Sequence, residues 1–158
     1  MDEKLKNKFM RKAIELSIRS IKVGGGPFGA IIVKDGKIIS RGENRVVQKS
    51  DPTAHAEIGA IRQAASRLHT HDLSGCKIFT SCEPCPMCLS AIYWANINEV
   101  YYACTIEDAE KIYFRDSYLY SQLSKKTEER DIISENILRE EGLSAFMIWE
   151  KDKNKTTY

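Results

Sequence analysis

Long apolar runs are absent from this 158-residue chain. No unbroken run of hydrophobic residues exceeds five, whereas a membrane-spanning helix needs about 20. The opening stretch MDEKLKNKF is charged from its second residue and contains no apolar signal core. We therefore expect a protein without a membrane span that resides in the cytoplasm.

A strong charge of one sign is missing as well. The formal net charge is +2, whereas a nucleic-acid-binding domain usually carries a strongly basic face. We therefore expect no nucleic-acid partner. The five cysteines are an odd number, and disulfides are rare in the cytoplasm, so a disulfide framework is not expected either.

The remaining composition is that of one ordinary globular domain over residues 1–158, with 42% hydrophobic and 29% charged residues. Periodic apolar residues predict a helix over residues 3–23, and GAIIVKDGKIIS predicts a hairpin that turns at Asp35-Gly36. Further helices are predicted over 51–68, 86–95, parts of 106–124, and 128–142, and further strands over 77–82, 99–104 and 144–150. Alternating helices and strands predict an α/β fold with a sheet of five strands covered on both faces, which is a three-layer α/β/α sandwich.

Three cysteines, Cys82, Cys85 and Cys88, crowd into the stretch SCEPCPMC. A Cys-x-x-Cys pair alone can be redox-active, half of a structural zinc site, or part of a catalytic zinc site. Cys85 and Cys88 open a predicted helix, whose positive N-terminal end favours thiolates, and their spacing places both sulfurs on one side.

His55 and Glu57 open the other predicted helix, directly after the helix-start residues Asp51-Pro52-Thr53. Two residues apart, they would diverge by about 200° around a regular helix, so they converge only in its first turn. His55 with two thiolates gives three zinc ligands and leaves one position for water, as in catalytic sites. Glu57 is then the base that takes the proton of that water. The pair of motifs is the signature of zinc-dependent nucleobase deaminases.

The stretches GGPFGAIIVKDGKII, DPTAHAEIGAIR, TSCEPCPMCLSAIYWA and FRDSYLY resemble the bacterial guanine deaminases over nearly the whole chain. The resemblance implies a cytidine-deaminase-like fold and a zinc-dependent hydrolysis of guanine to xanthine and ammonia. It implies Zn²⁺ on His55, Cys85 and Cys88, with Glu57 as the proton shuttle. It also implies a homodimer that exchanges C-terminal segments.

The same resemblance implies further site residues. Asp116 would serve the departing amino group. Tyr158 would close the site of the partner subunit. Phe28, Asn44 and Trp94 would line the base pocket, in agreement with the aromatic faces and amide groups that a flat purine requires.

Several alternatives stay open at this point. Guanosine, cytosine or a tRNA adenosine could be the substrate of the same zinc chemistry. Two alternatives belong to other functional classes of protein. They are a thiol redox protein and a zinc-stabilised binding module without catalysis. Outside the signature, Cys82 is interpreted as a buried thiol, Cys76 and Cys104 as core or near-surface thiols, and His69 and His71 as part of a solvated turn.

Overall fold

A computed structural model describes residues 1–157 of the chain. The helices are α1 (Glu3–Lys22), α2 (Val46–Lys49), α3 (Ala56–Leu68), α4 (Pro86–Trp94), α5 (Ile106–Glu110), α6 (Asp116–Ser124) and α7 (Arg139–Lys151). The strands are β1 (Gly29–Lys34), β2 (Lys37–Glu43), β3 (Lys77–Cys82) and β4 (Glu99–Cys104). Within the described part of the chain, no helix has both the length and the apolar character of a membrane span.

The chain divides into two compact units, Met1–Tyr120 and the segment from Ser121 onward. The first unit contains the whole sheet, helices α1 to α5 and the start of α6. The single domain expected over residues 1–158 stays a prediction.

Helix α1 forms where the apolar periodicity predicts it. The Asp2 carboxylate accepts a hydrogen bond from the Leu5 backbone N–H at 2.7 Å and so caps the first turn. Phe9, Ala13 and Leu16 recur on one face and are buried in a cluster with residues of the sheet. Helix α1 thus covers one face of that sheet.

The hairpin of β1 and β2 turns at Asp35 and Gly36, as expected. Both residues have positive φ, 49° and 71°, which is the geometry of the tight two-residue turn that matches the twist of the strands. The hairpin holds together the first two strands of the sheet.

Within residues 1–157 the sheet has four strands, in the order β2-β1-β3-β4. β1 is antiparallel to both β2 and β3, and β4 is parallel to β3. Side chains alternate across it, so that Ile31 and Phe79 join the cluster with α1 while Ile32 and Ile78 pack on the opposite face. That second face carries α3 and α4 through buried residues, namely Ala56, Ala60, Ala64 and Ile92. The mixed sheet between two helical layers confirms the predicted α/β class.

The predicted count of five strands is wrong. Residues 144–150, the expected fifth strand, lie within α7, and Gly142 lies inside that helix instead of ending an earlier one. The apolar run from Ala145 to Trp149 has no period that separates a strand from a helix. Glu140 and Glu141, in the first turn of α7, favour a helix start at Arg139.

Candidate active site

The loop before α3 determines the position of His55. Asp51 Oδ1 accepts hydrogen bonds from the Thr53 backbone N–H at 2.8 Å and from the Thr53 hydroxyl at 2.7 Å. After this turn His55 takes the N-cap position of α3 with extended backbone angles, φ −70° and ψ 159°. The side chain of an N-cap residue does not have to point outward from the helix axis, as the side chains within the helix do. His55 can therefore approach Glu57, the second residue of the helix, as the sequence requires.

The cysteine pair is placed in the same way at α4. Cys85 is the N-cap residue, and Pro86 occupies the first helical position, where a missing N–H is tolerated. Cys88 follows one turn later on the same side. Since neither N-cap side chain makes a capping hydrogen bond, the partial positive charge of both helix N-termini is available to stabilise thiolates.

His55, Cys85 and Cys88 form one compact donor group. Their donor atoms lie within 4.8 Å of one another, and His55 Nδ1 lies 3.5 Å from each sulfur. Ordinary zinc–nitrogen and zinc–sulfur bond lengths with tetrahedral angles place the two kinds of donor roughly 3.6 Å apart. The donor types and their spacing therefore fit a zinc ion.

The three side chains of this donor group differ in how readily each holds a proton. The hydrogen bond with Cys88, followed by the one with His55, lowers the pKa of Cys85 to about 4. The hydrogen bond with Cys85 and burial raise the pKa of Cys88, and the hydrogen bond with Cys85 raises the pKa of His55. A divalent cation would replace the shared protons, because bound thiols and imidazole must be deprotonated.

Glu57 lies directly beside the sulfurs. Its side chain is buried, Cys88 Sγ donates to its Oε2 at 3.4 Å, and Thr80 Oγ1 donates to its Oε1 at 3.1 Å. Burial raises the pKa of this carboxyl above its ordinary value. Glu57 is therefore a stronger base than a solvated glutamate, which suits a group that accepts and returns a proton.

A cavity of about 270 Å³ opens beside these residues. It combines aromatic and aliphatic surface with a small number of polar groups, as small-molecule sites generally do. Besides His55, Glu57 and Cys85, it is lined by Gly26, Phe28, Asn44, Val46, Val47, Pro52, Glu83, Phe114 and Asp116. The edge of one aromatic ring meets the face of the other where Phe28 contacts Phe114, with ring centroids 4.7 Å apart.

The surroundings of two polar side chains in the cavity determine which group each of them can donate. Asn44 is buried, and its Oδ1 accepts from the backbone N–H groups of Gly26 and Val46, each at 3.3 Å. The amide nitrogen is therefore the group that Asn44 presents as a donor. Burial raises the pKa of Asp116, the first residue of α6, so this carboxyl can hold a proton more readily than an exposed one.

The family assignment follows from the part of the chain that builds this site. Residues 3–104 match the cytidine and deoxycytidylate deaminase zinc-binding region. The chain belongs to the cytidine and deoxycytidylate deaminase family.

Members of this deaminase family match different shares of the present chain. Guanine deaminase of Bacillus subtilis (strain 168) is 47% identical over 151 residues, which are 95% of this chain and 97% of that protein. The X-ray structure of guanine deaminase from Bacillus subtilis matches with a TM-score of 0.94 at 45% identity, over 100% of this chain and 99% of that one. The tRNA-specific adenosine deaminase of Aquifex aeolicus (strain VF5) is 43% identical over 98 residues, or 62% of this chain and 65% of that protein. The resemblance to guanine deaminases is thereby confirmed.

One predicted pocket residue of this deaminase, Trp94, is not among the residues that line the cavity. Trp94 lies at the C-terminal end of α4 and is 64% exposed. Tyr158 lies outside the described residues. Contact of either side chain with the base stays a prediction, whereas Phe28, Asn44 and Asp116 do line the cavity.

The cysteines outside the deaminase signature are separate from the donor group. Cys82 is buried and its Sγ donates to the Thr105 carbonyl at 3.4 Å, and burial raises the pKa of this thiol to about 12. Cys76 is also buried, whereas Cys104 is exposed. These positions agree with thiols that do not bind a metal.

Sequence reasoning missed several residues of the site. Thr80 lies in the predicted strand KIFTSC, two residues after the inward-facing Ile78, and this alternation could have indicated its contact with Glu57. Phe114 directly precedes Arg115 in the same FRDSYLY stretch that contains Asp116. Val46, Val47 and Glu83 carry no comparable pattern, since they depend on how loops pack around the cavity.

Proposed function

We propose that this protein is a zinc-dependent guanine deaminase, which hydrolyses guanine to xanthine and ammonia. His55, Cys85 and Cys88 hold the zinc ion, as their donor types and spacing support. A zinc ion with one open coordination position supplies Lewis acidity and lowers the pKa of water, so that a nucleophile forms near neutral pH.

Glu57 moves the proton in this proposal. One of its oxygens, Oε1, is occupied by the Thr80 hydroxyl, which fixes the orientation of the carboxylate. The other, Oε2, accepts from Cys88 in the metal-free protein and becomes available once Cys88 binds metal as a thiolate. Oε2 is therefore the atom that accepts the proton from water and returns it to the substrate.

Phe28, Asn44 and Asp116 bind and orient the purine. The ring of Phe28, braced by Phe114, contacts the flat face of the base. The Asn44 amide nitrogen donates to an acceptor on its edge, since the amide oxygen is held by the backbone. Asp116, with its raised pKa, carries a proton for the departing amino group.

The choice of guanine as the substrate rests on the similarity to a guanine deaminase that continues beyond residue 104. The deaminase region common to the family ends there, while the likeness to a guanine deaminase continues over 95% of the chain. Phe114 and Asp116 both lie after residue 104 and line the cavity. The tRNA-specific relative covers only 62% of the chain, which favours the free purine over a tRNA adenosine.

The protein acts as a homodimer that exchanges C-terminal segments, with Tyr158 and Trp94 completing the site. Support comes from the segment after Ser121, which leaves large apolar side chains in water. Ile133 is 89% exposed, and Phe146 and Ile148 are each 72% exposed. A second copy of the chain would cover them, and light scattering should therefore report a dimer.

Ammonia release from guanine and, in parallel, from guanosine tests the proposed activity. We expect the zinc-loaded protein to release ammonia from guanine and not from guanosine. Glu57→Gln is the matched control, because it keeps the size of the side chain and removes the base; its turnover should fall at least 100-fold. Activity on guanosine alone would reassign the substrate, and full activity of Glu57→Gln would contradict the role of Glu57.

A further inference from the structure

Asp116 lies at the cavity although burial in the core does not hold its helix there. Helix α6 begins at Asp116 and buries none of its residues, and α5 before it buries only Ala109. Asp116 nevertheless lines the same cavity as His55 and Cys85. Specific contacts must therefore hold the start of α6 in place.

One such contact is made by Tyr120. Its hydroxyl donates a hydrogen bond to the Pro84 carbonyl at 2.9 Å, and its side chain is half-buried. Tyr120 lies four residues after Asp116, so both side chains lie on one face of α6. Pro84 directly precedes Cys85. The hydrogen bond therefore joins the helix that begins with Asp116 to the loop that carries a donor of the metal group.

A second contact holds the chain just before Asp116. The ring of Phe114 packs edge-on against Phe28 with centroids 4.7 Å apart. Asp116 thus lies between two anchors, an aromatic contact on one side and the Tyr120 hydrogen bond on the other. Of these two anchors, only Tyr120 lies on α6 itself and fixes its direction.

We infer that Tyr120 is a positioning residue, whose hydroxyl ties α6 to the Pro84 carbonyl and thereby holds the Asp116 carboxyl at the reaction site. The inference rests on the proposed guanine deamination for its kinetic consequence, but not for its structural one. Tyr120 does not line the cavity, so it acts through Asp116 and not on the substrate. A small displacement of a catalytic group can lower turnover up to about 100-fold.

Tyr120→Phe removes the hydroxyl and keeps the ring. In the zinc-loaded protein we expect kcat for guanine to fall about ten-fold and KM to change less than about two-fold, because the ground-state contacts of the base remain. Tyr113→Phe is the matched control, since Tyr113 is 93% exposed in the same segment, and its kinetics should equal those of the wild type. In an Asp116→Ala background, Tyr120→Phe should lower kcat no further. An additive loss there, or wild-type kcat in the single variant, would overturn the inference.

Amide hydrogen exchange tests the anchor without any substrate. The hydrogen-bonded amides of α6 from Leu119 onward should exchange about ten-fold faster in Tyr120→Phe, whereas the strands and zinc content should match the wild type. Unchanged exchange overturns the anchor, and loss of zinc would show that the hydroxyl serves Cys85 instead of Asp116. If the wild type fails to deaminate guanine, the proposed function is wrong, and the exchange result still decides whether Tyr120 holds α6.

Discussion

Gly42 and Gly59 mark a close approach between the sheet and α3, and they provide a sharp test of how α3 is held. A Cβ atom added at Gly42 would lie 1.9 Å from the Ala56 carbonyl oxygen and 2.7 Å from the Ala60 nitrogen. Both are backbone atoms of the first turns of α3, immediately after His55. A Cβ atom at Gly59 would meet only the Gly42 Cα, at 3.8 Å, which is ordinary contact.

The size of the effect follows from these distances. Carbon and oxygen atoms in contact lie well over 3 Å apart, so Gly42→Ala must displace the start of α3 by roughly 1 Å. Forcing atoms into a packed interior costs about 1–3 kcal/mol, and backbone cannot move aside as a side chain can. We expect Gly42→Ala to destabilise the protein by about 3 kcal/mol, or about 10 °C in melting temperature for a chain of this size. Gly59→Ala should be neutral or stabilising by up to about 1 kcal/mol, since alanine is the better helix former.

Urea unfolding and zinc content of the two variants provide the assay. Gly42→Ala should unfold at lower urea and bind zinc more weakly, because His55 moves with the start of α3. Gly59→Ala should bind zinc like the wild type. The packing argument would be refuted if Gly42→Ala unfolded at the wild-type urea concentration while Gly59→Ala unfolded earlier.

Three further predictions concern the donor group and the chain near it. Cys85→Ala should weaken zinc binding at least 100-fold and lower the melting temperature, since metal binding is coupled to folding; stoichiometric zinc by elemental analysis would count against Cys85 as a ligand. Burial raises the pKa of Glu57 above its ordinary value of 4.5, so its ionisation destabilises the folded state as pH rises. Metal-free Glu57→Gln should therefore be more stable than the metal-free wild type in urea at pH 8, with a difference that vanishes as pH falls toward 4.5; equal stability at both values would contradict the burial argument. Tyr113 has φ +72° where the chain leaves α5, a backbone conformation that favours glycine. Tyr113→Gly should therefore stabilise the protein by about 0.5 kcal/mol in thermal unfolding. A lower melting temperature would show instead that the Tyr113 side chain makes a stabilising contact.

The elements near the donor group could be predicted from sequence because their signals are local. KIFTSC and EVYYAC are apolar, β-rich runs, and β3 and β4 coincide with them. The Asp-Gly turn and the proline after Cys85 each carry a backbone preference of their own. The convergence of His55 with Cys85 followed from their positions at two helix starts, and the structure places both as N-cap residues.

The residues that sequence reasoning missed depend on contacts between distant segments. Nothing near Tyr120 in the sequence indicates that its hydroxyl reaches Pro84. The error over residues 128–150 has another cause, because an apolar run next to glutamates fits either a strand or a helix until its packing is known. Only the resemblance to guanine deaminases assigns Trp94 to the base pocket, since its exposed position on α4 provides no local argument for contact with the base.

The N-cap positions of His55 and Cys85 have a consequence for how this protein can be redesigned. The donor group depends on two helix starts, whereas the cavity surfaces proposed to meet the base come from separate segments around Phe28, Asn44 and Phe114. The zinc-binding donors and most of the remaining cavity surface are therefore encoded in different stretches of sequence. Exchanging residues 44–47, or Phe114 while Asp116 is kept, should change which base is accepted and leave the hydrolytic machinery intact, which makes those segments the natural targets for a library.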